Sequence, residues 1–420
     1  MKRIIVFFYL LCALELAQAQ THGPLTIEKC YELATQNYPL IKQRELISST
    51  QDYSISNANK AFIPAITING QQSYQSDVTQ VPFQSPEMNI EPISKNQYKV
   101  YGEVTANLYD GGIIKNQKLS YKATAQIDEQ KLEVELYKLK DRINQLFFGI
   151  LLLDAQVEQN QLLKDDVQRG LRKAEAAIEN GVSLKSSADV LKAESLKVDQ
   201  RAIELKATRS AYVEMLGLLT GQSLNDSTKL EKPKSLVTAE SITRPELLLY
   251  DYQRKAIDIQ NKILTTRNLP KLSGFFQGGY GRPALNMLNN QADAYYIGGI
   301  RLNWTISGFY TFKKEKALLD LSRRNLDLQK ETFLYNTNIT LKNQQGEVTK
   351  LQNILSSDDE IIQLREKIKN TASAQLENGV INSNDYLREV TAEDQARKDK
   401  IMHEIQLLLA QYNLHTTAGI

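Results

Sequence analysis

Residues 113–179 read IIKNQKLSYKATAQIDEQKLEVELYKLKDRINQLFFGILLLDAQVEQNQLLKDDVQRGLRKAEAAIE, with no proline and only two glycines, Gly149 and Gly170. Leu132, Leu136, Leu139, Ile143, Phe147 and Ile150 recur in steps of three and four. Those steps place them on one stripe of an α-helix. The stripe is narrow and flanked by charge, as in a coiled-coil seam. At about 1.5 Å per residue an unbroken helix of this length reaches on the order of 100 Å. An ordinary globular core is not that deep, so the sequence predicts a single long helix with other helices packed along it.

The segments on either side define the unit to which this helix belongs. Upstream, Asp110-Gly111-Gly112 closes a run of strict alternation. Tyr98, Val100, Gly102, Val104, Ala106 and Leu108 point one way, and Lys99, Tyr101, Glu103, Thr105, Asn107 and Tyr109 the other. Residues 66–75 alternate likewise, and a polar loop over 76–96 with Pro82, Pro86 and Pro92 joins the two strands. Strands of about 9–11 residues with one apolar and one polar face suit a membrane barrel, and they equally suit a soluble amphipathic sheet. Before them, 26–61 reads as helix, kinked at Pro39 and ended by Pro64. Downstream, the long helix stops at Glu179-Asn180-Gly181-Val182, and a return helix over 187–219 closes at Thr220-Gly221. Residues 222–241 follow as a polar linker with Pro233.

The whole pattern then recurs. A helix over 243–268 begins with Pro245 in its first turn and is stopped by Pro270. Alternating strands over 272–280 and 296–306 flank a loop over 282–292. Ser307-Gly308 stands where Asp110-Gly111 stood, and a second long helix, 309–376, contains no proline and one glycine, Gly346. Glu377-Asn378-Gly379-Val380 repeats the first turn letter for letter, and the final return helix closes at Ala418-Gly419. The landmarks recur at offsets of 206 (Pro64 to Pro270), 197 (Gly111 to Gly308) and 198 (Gly181 to Gly379, Gly221 to Gly419). Four landmarks in one order at nearly one spacing indicate a tandem duplication of about 200 residues. The organisation expected is a signal peptide over 1–19, a first repeat over 20–221, a linker over 222–241 and a second repeat over 242–420.

The signal peptide rests on Met1-Lys2-Arg3, an apolar core over 4–14 and the small-x-small site Ala17-Gln18-Ala19. Cys12 falls inside it and lacks a lipoprotein context, which leaves Cys30 alone and excludes an intramolecular disulfide. No later run has the ~18 apolar residues of a transmembrane helix. The formal net charge of +2 gives no reason to expect a nucleic-acid partner. His22, His403 and His415 lack ligand spacing, and Gly278-Gly279-Tyr280-Gly281 precedes no helix, so neither a metal site nor a phosphate loop is expected. No catalytic constellation or cofactor motif is present. The many carboxylates are expected on solvated helix faces.

Helix, two strands, very long helix, turn and return helix, twice, behind a signal peptide: this resembles the TolC family of outer-membrane channel proteins. The resemblance covers the mature chain and is carried by Pro64 and Pro270 before strands, by Leu108-Tyr109-Asp110-Gly111-Gly112, and by the two Asn-Gly-Val turns. It implies a mainly α fold with a small β part: duplicated coiled-coil hairpins, plus four strands per protomer in a trimeric outer-membrane β-barrel. It further implies a homotrimer in outer-membrane lipid, with helices in the periplasm. Such a channel serves as exit duct for efflux or type I secretion, coupled to a periplasmic adaptor and an inner-membrane RND or ABC-type transporter. Four strands cannot close alone, so membrane strands would require other copies.

The resemblance also suggests site residues. The acids of the family's constriction match Asp385, six residues after Gly379; a second falls on Arg388, where this chain departs, with Glu389 beside it. Asp189, eight residues after Gly181, is the weaker counterpart in the first turn. The competing expectation is that Asp385 or Asn384 caps the return helix, and that Ser183, Ser186 and Ser187 are ordinary caps. Gly181, Val182, Gly379 and Val380 resemble the tips that dock the adaptor, and a tight hairpin turn explains them as well. Tyr98, Tyr101, Tyr296 and Trp304 suit interfacial girdles or plain strand composition. The alternative function is a periplasmic coiled-coil adaptor or scaffold.

Overall fold

The computed structural model describes residues 24–79, 92–181, 183–236 and 241–420. The expected signal peptide, His22, the middle of the first loop, Val182 and part of the linker lie outside those residues.

The helices are α1 (Ile27–Asn37), α2 (Gln43–Lys60), α3 (Ile113–Tyr137), α4 (Leu139–Glu179), α5 (Lys185–Thr220), α6 (Pro245–Arg267), α7 (Phe309–Glu377) and α8 (Ser383–Ala418). The strands are β1 (Ala65–Tyr74), β2 (Asn96–Tyr109), β3 (Lys271–Arg282) and β4 (Asp293–Asn303). The expected helix over 26–61 is two helices joined by a 3₁₀ turn at Pro39–Lys42, because proline cannot continue the hydrogen-bond ladder. The first long helix is also interrupted. Lys138, with ψ of −17°, donates only a long 3.4 Å bond to Val134, a weak point in the ladder without a proline or glycine to announce it. The second long helix runs unbroken for 69 residues.

Two compact units emerge, each drawing on both repeats. The helical unit comprises the chain up to Ile41 with 132–245 and 333–420. Its larger core joins Ile27, Cys30 and Ala34 of α1 to Ile143, Phe147, Phe148 and Ile150 of α4, Leu216 of α5 and Tyr412 of α8. The apolar stripe legible in the sequence is therefore the buried face of α3 and α4. A second core gathers Leu163, Val167 and Ala174 of α4 with Leu191 and Val198 of α5 and Tyr386 and Val390 of α8. The two glycines of α4 admit neighbouring rings: a Cβ on Gly149 would lie 2.6 Å from the Tyr212 ring, and one on Gly170 2.5 Å from the Tyr386 ring. Gly221 and Gly419, at φ of 68° and 98°, end α5 and α8 in the left-handed geometry that glycine adopts without strain. Part of the linker is pinned rather than loose. Leu25 and Leu230 form a parallel bridge, and Arg209 donates to the carbonyls of Asp226 and Thr228 at 2.9 Å.

The sheet unit comprises 42–131 and 246–332. Its four strands pair antiparallel in chain order, β1-β2-β3-β4, so the hairpins of the two repeats meet at β2 and β3. After β2, Asp110 caps α3 by accepting from Gly112 at 2.8 Å and Ile114 at 2.6 Å, with Gly111 at φ of 73°. The counterpart Gly308 differs. It lies in a 3₁₀ turn, Ile306–Gly308, and its bare Cα faces the Asn268 side chain instead of serving a left-handed turn.

Candidate functional site

The sheet has two unlike faces. Cross-strand partners share a face, so the register lines up Ile66, Val104, Phe276 and Gly298, and likewise Gly70, Val100, Tyr280 and Ala294. Ile68, Tyr296, Ile300 and Leu302 extend that surface. These apolar side chains are open: Ile68 is 83% exposed and Ile300 71%. The opposite face is polar and internally bonded. Glu103 accepts from Gln277 at 2.9 Å and pairs with Arg301 at 3.4 Å, and the Arg301 guanidinium lies 4.5 Å from the Phe275 ring centroid. Tyr98 and Tyr296 belong to the apolar face, where a girdle would need them. Tyr101 does not; it lies on the polar face with Lys99 over its ring. Trp304 follows β4, and its indole N–H donates to the Asn268 carbonyl at 3.1 Å. No helix among the described residues is long and apolar enough to cross a membrane.

The helical unit brings the two hairpin turns together. Gly181 and Gly379 both adopt positive φ, at 72° and 68°, and line one cavity of about 410 Å³ with Leu184, Val380 and Asn382. Asn180 and Asn378 each donate a side-chain bond of 2.8 Å back to the carbonyl four residues earlier. Lys173, near the first turn, reaches Ser373 at 3.0 Å and Glu377 at 2.9 Å, tying the end of α4 to the end of α7. Leu184 and Val380 are exposed at 75% and 69%, a small apolar pair in water at the tips.

The capping expectation fails in detail at both turns. Asn382, not Asn384 or Asp385, caps α8, accepting from the Asn384 and Asp385 amides at 2.9 and 3.0 Å. The α5 N-cap is Leu184, which has no side-chain oxygen, so none of Ser183, Ser186 and Ser187 takes that role. Asp385 is thereby released from capping. It faces Arg388 at 3.9 Å, and Arg388 also bonds Glu389 at 3.0 Å, while Arg365 stands 3.7 Å from Glu389. Asp385, Arg388 and Glu389 line a groove of about 360 Å³ with Lys367, Ile368 and Gln375. Asp189 is exposed on α5 and belongs to neither cavity.

One cluster escaped the sequence reading. Glu393 and Asp394 are 2% and 3% exposed, contrary to the expectation that the carboxylates are solvated. Lys369 joins Asp166 at 3.0 Å to Glu393 at 3.3 Å; Arg397 pairs with Glu393 and Glu366; Asp394 bonds Gln159 at 3.0 Å and Lys398 at 2.5 Å. The visible signal was the pair of four-residue steps, Glu393 to Arg397 and Asp394 to Lys398. Removing one partner from such a buried set costs about 3–5 kcal/mol, because the survivor is an uncompensated charge. Tyr386 sits on this cluster, and burial, with Asp166 adding, pushes its phenol above the ordinary range. Among the described residues no His, Cys, Asp and Glu are grouped to hold a metal ion.

Residues 30–220 match the family model described as outer membrane efflux protein, which spans most of the first repeat. Solved structures carry the same fold over nearly the whole chain. The outer membrane protein VceC from Vibrio cholerae matches with a TM-score of 0.67 at 13% identity, covering 94% of this chain and 96% of its own. The CmeC outer membrane channel of Campylobacter jejuni matches at 0.66 and 13%, covering 94% and 85%. The MtrE outer membrane channel of Neisseria gonorrhoeae, in its open state, matches at 0.65 and 11%, covering 94% and 88%. No curated protein sequence matches the chain.

Proposed function

We propose that this chain, an outer membrane efflux protein by family match over its first repeat and by fold across both, is one protomer of an outer-membrane exit channel. The observation that carries the reading is the inside-out sheet. Its apolar face is open and its polar face is internally bonded, an arrangement stable where lipid covers the first and water the second. The unpaired edges of β1 and β4, on opposite sides of the sheet, support the same reading. In lipid each unpaired backbone group costs several kcal/mol, so the edges are closed by further copies, three in the homotrimer. A periplasmic scaffold would leave the same apolar surface in water.

The channel is a passive conduit, with its helices in the periplasm, for cargo driven by an inner-membrane RND or ABC-type transporter through a periplasmic adaptor. The adaptor docks at the paired turns, where Gly181 and Gly379 shape the tips and Val380, with Leu184, supplies exposed apolar contact. Val182 belongs to the same tip by sequence. Asp385, Arg388 and Glu389 line the constriction, with Asp189 a secondary contributor. Because Arg388 offsets its two acidic neighbours, the constriction is less cation-selective than a purely acidic ring. Planar lipid bilayers test the reading. Purified protein should insert and give stable unit conductances, and Arg388→Asp should shift the reversal potential toward cations. Protein that never inserts, or that remains monomeric in detergent, would contradict it.

A further inference from the structure

The segment between β3 and β4 is ordered by its own side chains. Asn286 accepts from the Leu288 amide at 3.0 Å, and Asn289 from the Gln291 amide at 3.0 Å. Arg282 donates to the Asn290 carbonyl, and the Ser94 amide to the Asn290 side chain, both at 2.7 Å. This loop does not stand clear of the sheet. A cavity of about 340 Å³ is lined by Leu285 and Met287 of the loop together with Gln71, Ser73, Lys99 and Gln277. All four of those partners lie on the polar face. The loop therefore packs mainly against the polar face, with Tyr98 and Arg282 at the strand ends completing the lining. Its apolar side chains remain open, with Leu285 57% and Met287 56% exposed. Among the described residues this exposed apolar pair packs into no core.

We propose that the β3–β4 loop is a collar at the outer mouth of the pore, with Leu285 and Met287 forming an apolar lip that restricts what passes. The inference rests on the exit-channel reading, in which the polar face lines the lumen. Three copies then present three lips around one opening, a constriction separate from the one lined by Asp385, Arg388 and Glu389. Apolar constrictions in wide pores favour amphipathic or apolar cargo over hydrated ions.

The test uses Met287→Cys in the mature protein reconstituted in planar bilayers. With residues 1–19, and so Cys12, removed, the background is quiet, because Cys30 is buried and its thiol is pushed up by burial, then by Glu28, to about 12. A bulky neutral thiol reagent added from the loop side should lower the unit conductance in three steps, one per protomer. Leu285→Ser with Met287→Ser should raise the unlabelled conductance. Full labelling by mass with unchanged conductance, or a double serine variant conducting like the parent, would overturn the collar and leave the channel standing. Absence of any conductance in the parent protein would instead overturn the channel reading on which the collar rests.

Discussion

The two units of this molecule use the same apolar residue types in opposite senses. In the helical unit Phe147 and Ile143 are fully buried and most charges face outward, the buried exceptions being the cluster of Asp166, Glu393 and Asp394, and Asp358 bonded to His403. In the sheet unit Ile68 and Ile300 are open, and the polar groups bond to one another on the sheet's other face. The difference teaches what each unit is solvated by. A helical hairpin with an apolar interior is organised for water; a sheet with an apolar exterior is organised for lipid.

The largest expected effect comes from the water-solvated side of that contrast. Phe147→Ala removes a ring from a packed core and should cost about 3–5 kcal/mol, read as a lower denaturant midpoint for loss of helical circular dichroism. Ile68→Ala should leave that midpoint unchanged. On the lipid side, Ile68→Arg should cost about 2–4 kcal/mol in the membrane and deplete trimers from outer-membrane fractions. Thr67→Arg, on the other face of β1, should not; equal depletion by both would erase the distinction between faces. Gly170→Ala sets a methyl against the Tyr386 ring and should destabilise by about 1–3 kcal/mol, less the helix-propensity gain of up to about 1 kcal/mol. Thermal unfolding would show a stabilised variant if the ring simply moves aside. The smallest effect separates the two turns. Asn382→Ala should cost about 1 kcal/mol by deleting a cap, whereas Leu184→Asp should gain a similar amount by adding one.

Much of this contrast was legible in the sequence, because periodicity reports which face is apolar. The steps from Leu132 to Ile150 gave the helical core, and alternation through β2 gave the two faces of the sheet. What alternation could not say is which face meets solvent, since membrane and soluble strands alternate alike. The break at Lys138 was invisible because good helix formers flank it on both sides. The equivalence of Gly111 and Gly308 held in position and failed in conformation, because a glycine records permission for a turn and not its use. At the candidate site, both Asn-Gly turns were readable, but the cap lay two to three residues earlier, at Asn382, than the acid and amide first considered. The buried ionic cluster was the deepest omission. Its bond from Lys369 to Asp166 crosses 203 residues, and only the fold brings those charges into one dry place.

The most direct measurement of the central claim is single-particle imaging of the protein extracted in detergent from isolated outer membranes. The account predicts a three-fold particle with a detergent belt around the strands, each β1 edge paired with the β4 edge of a neighbouring copy. A water-soluble monomer, or an assembly whose apolar sheet face carries no detergent, would contradict it.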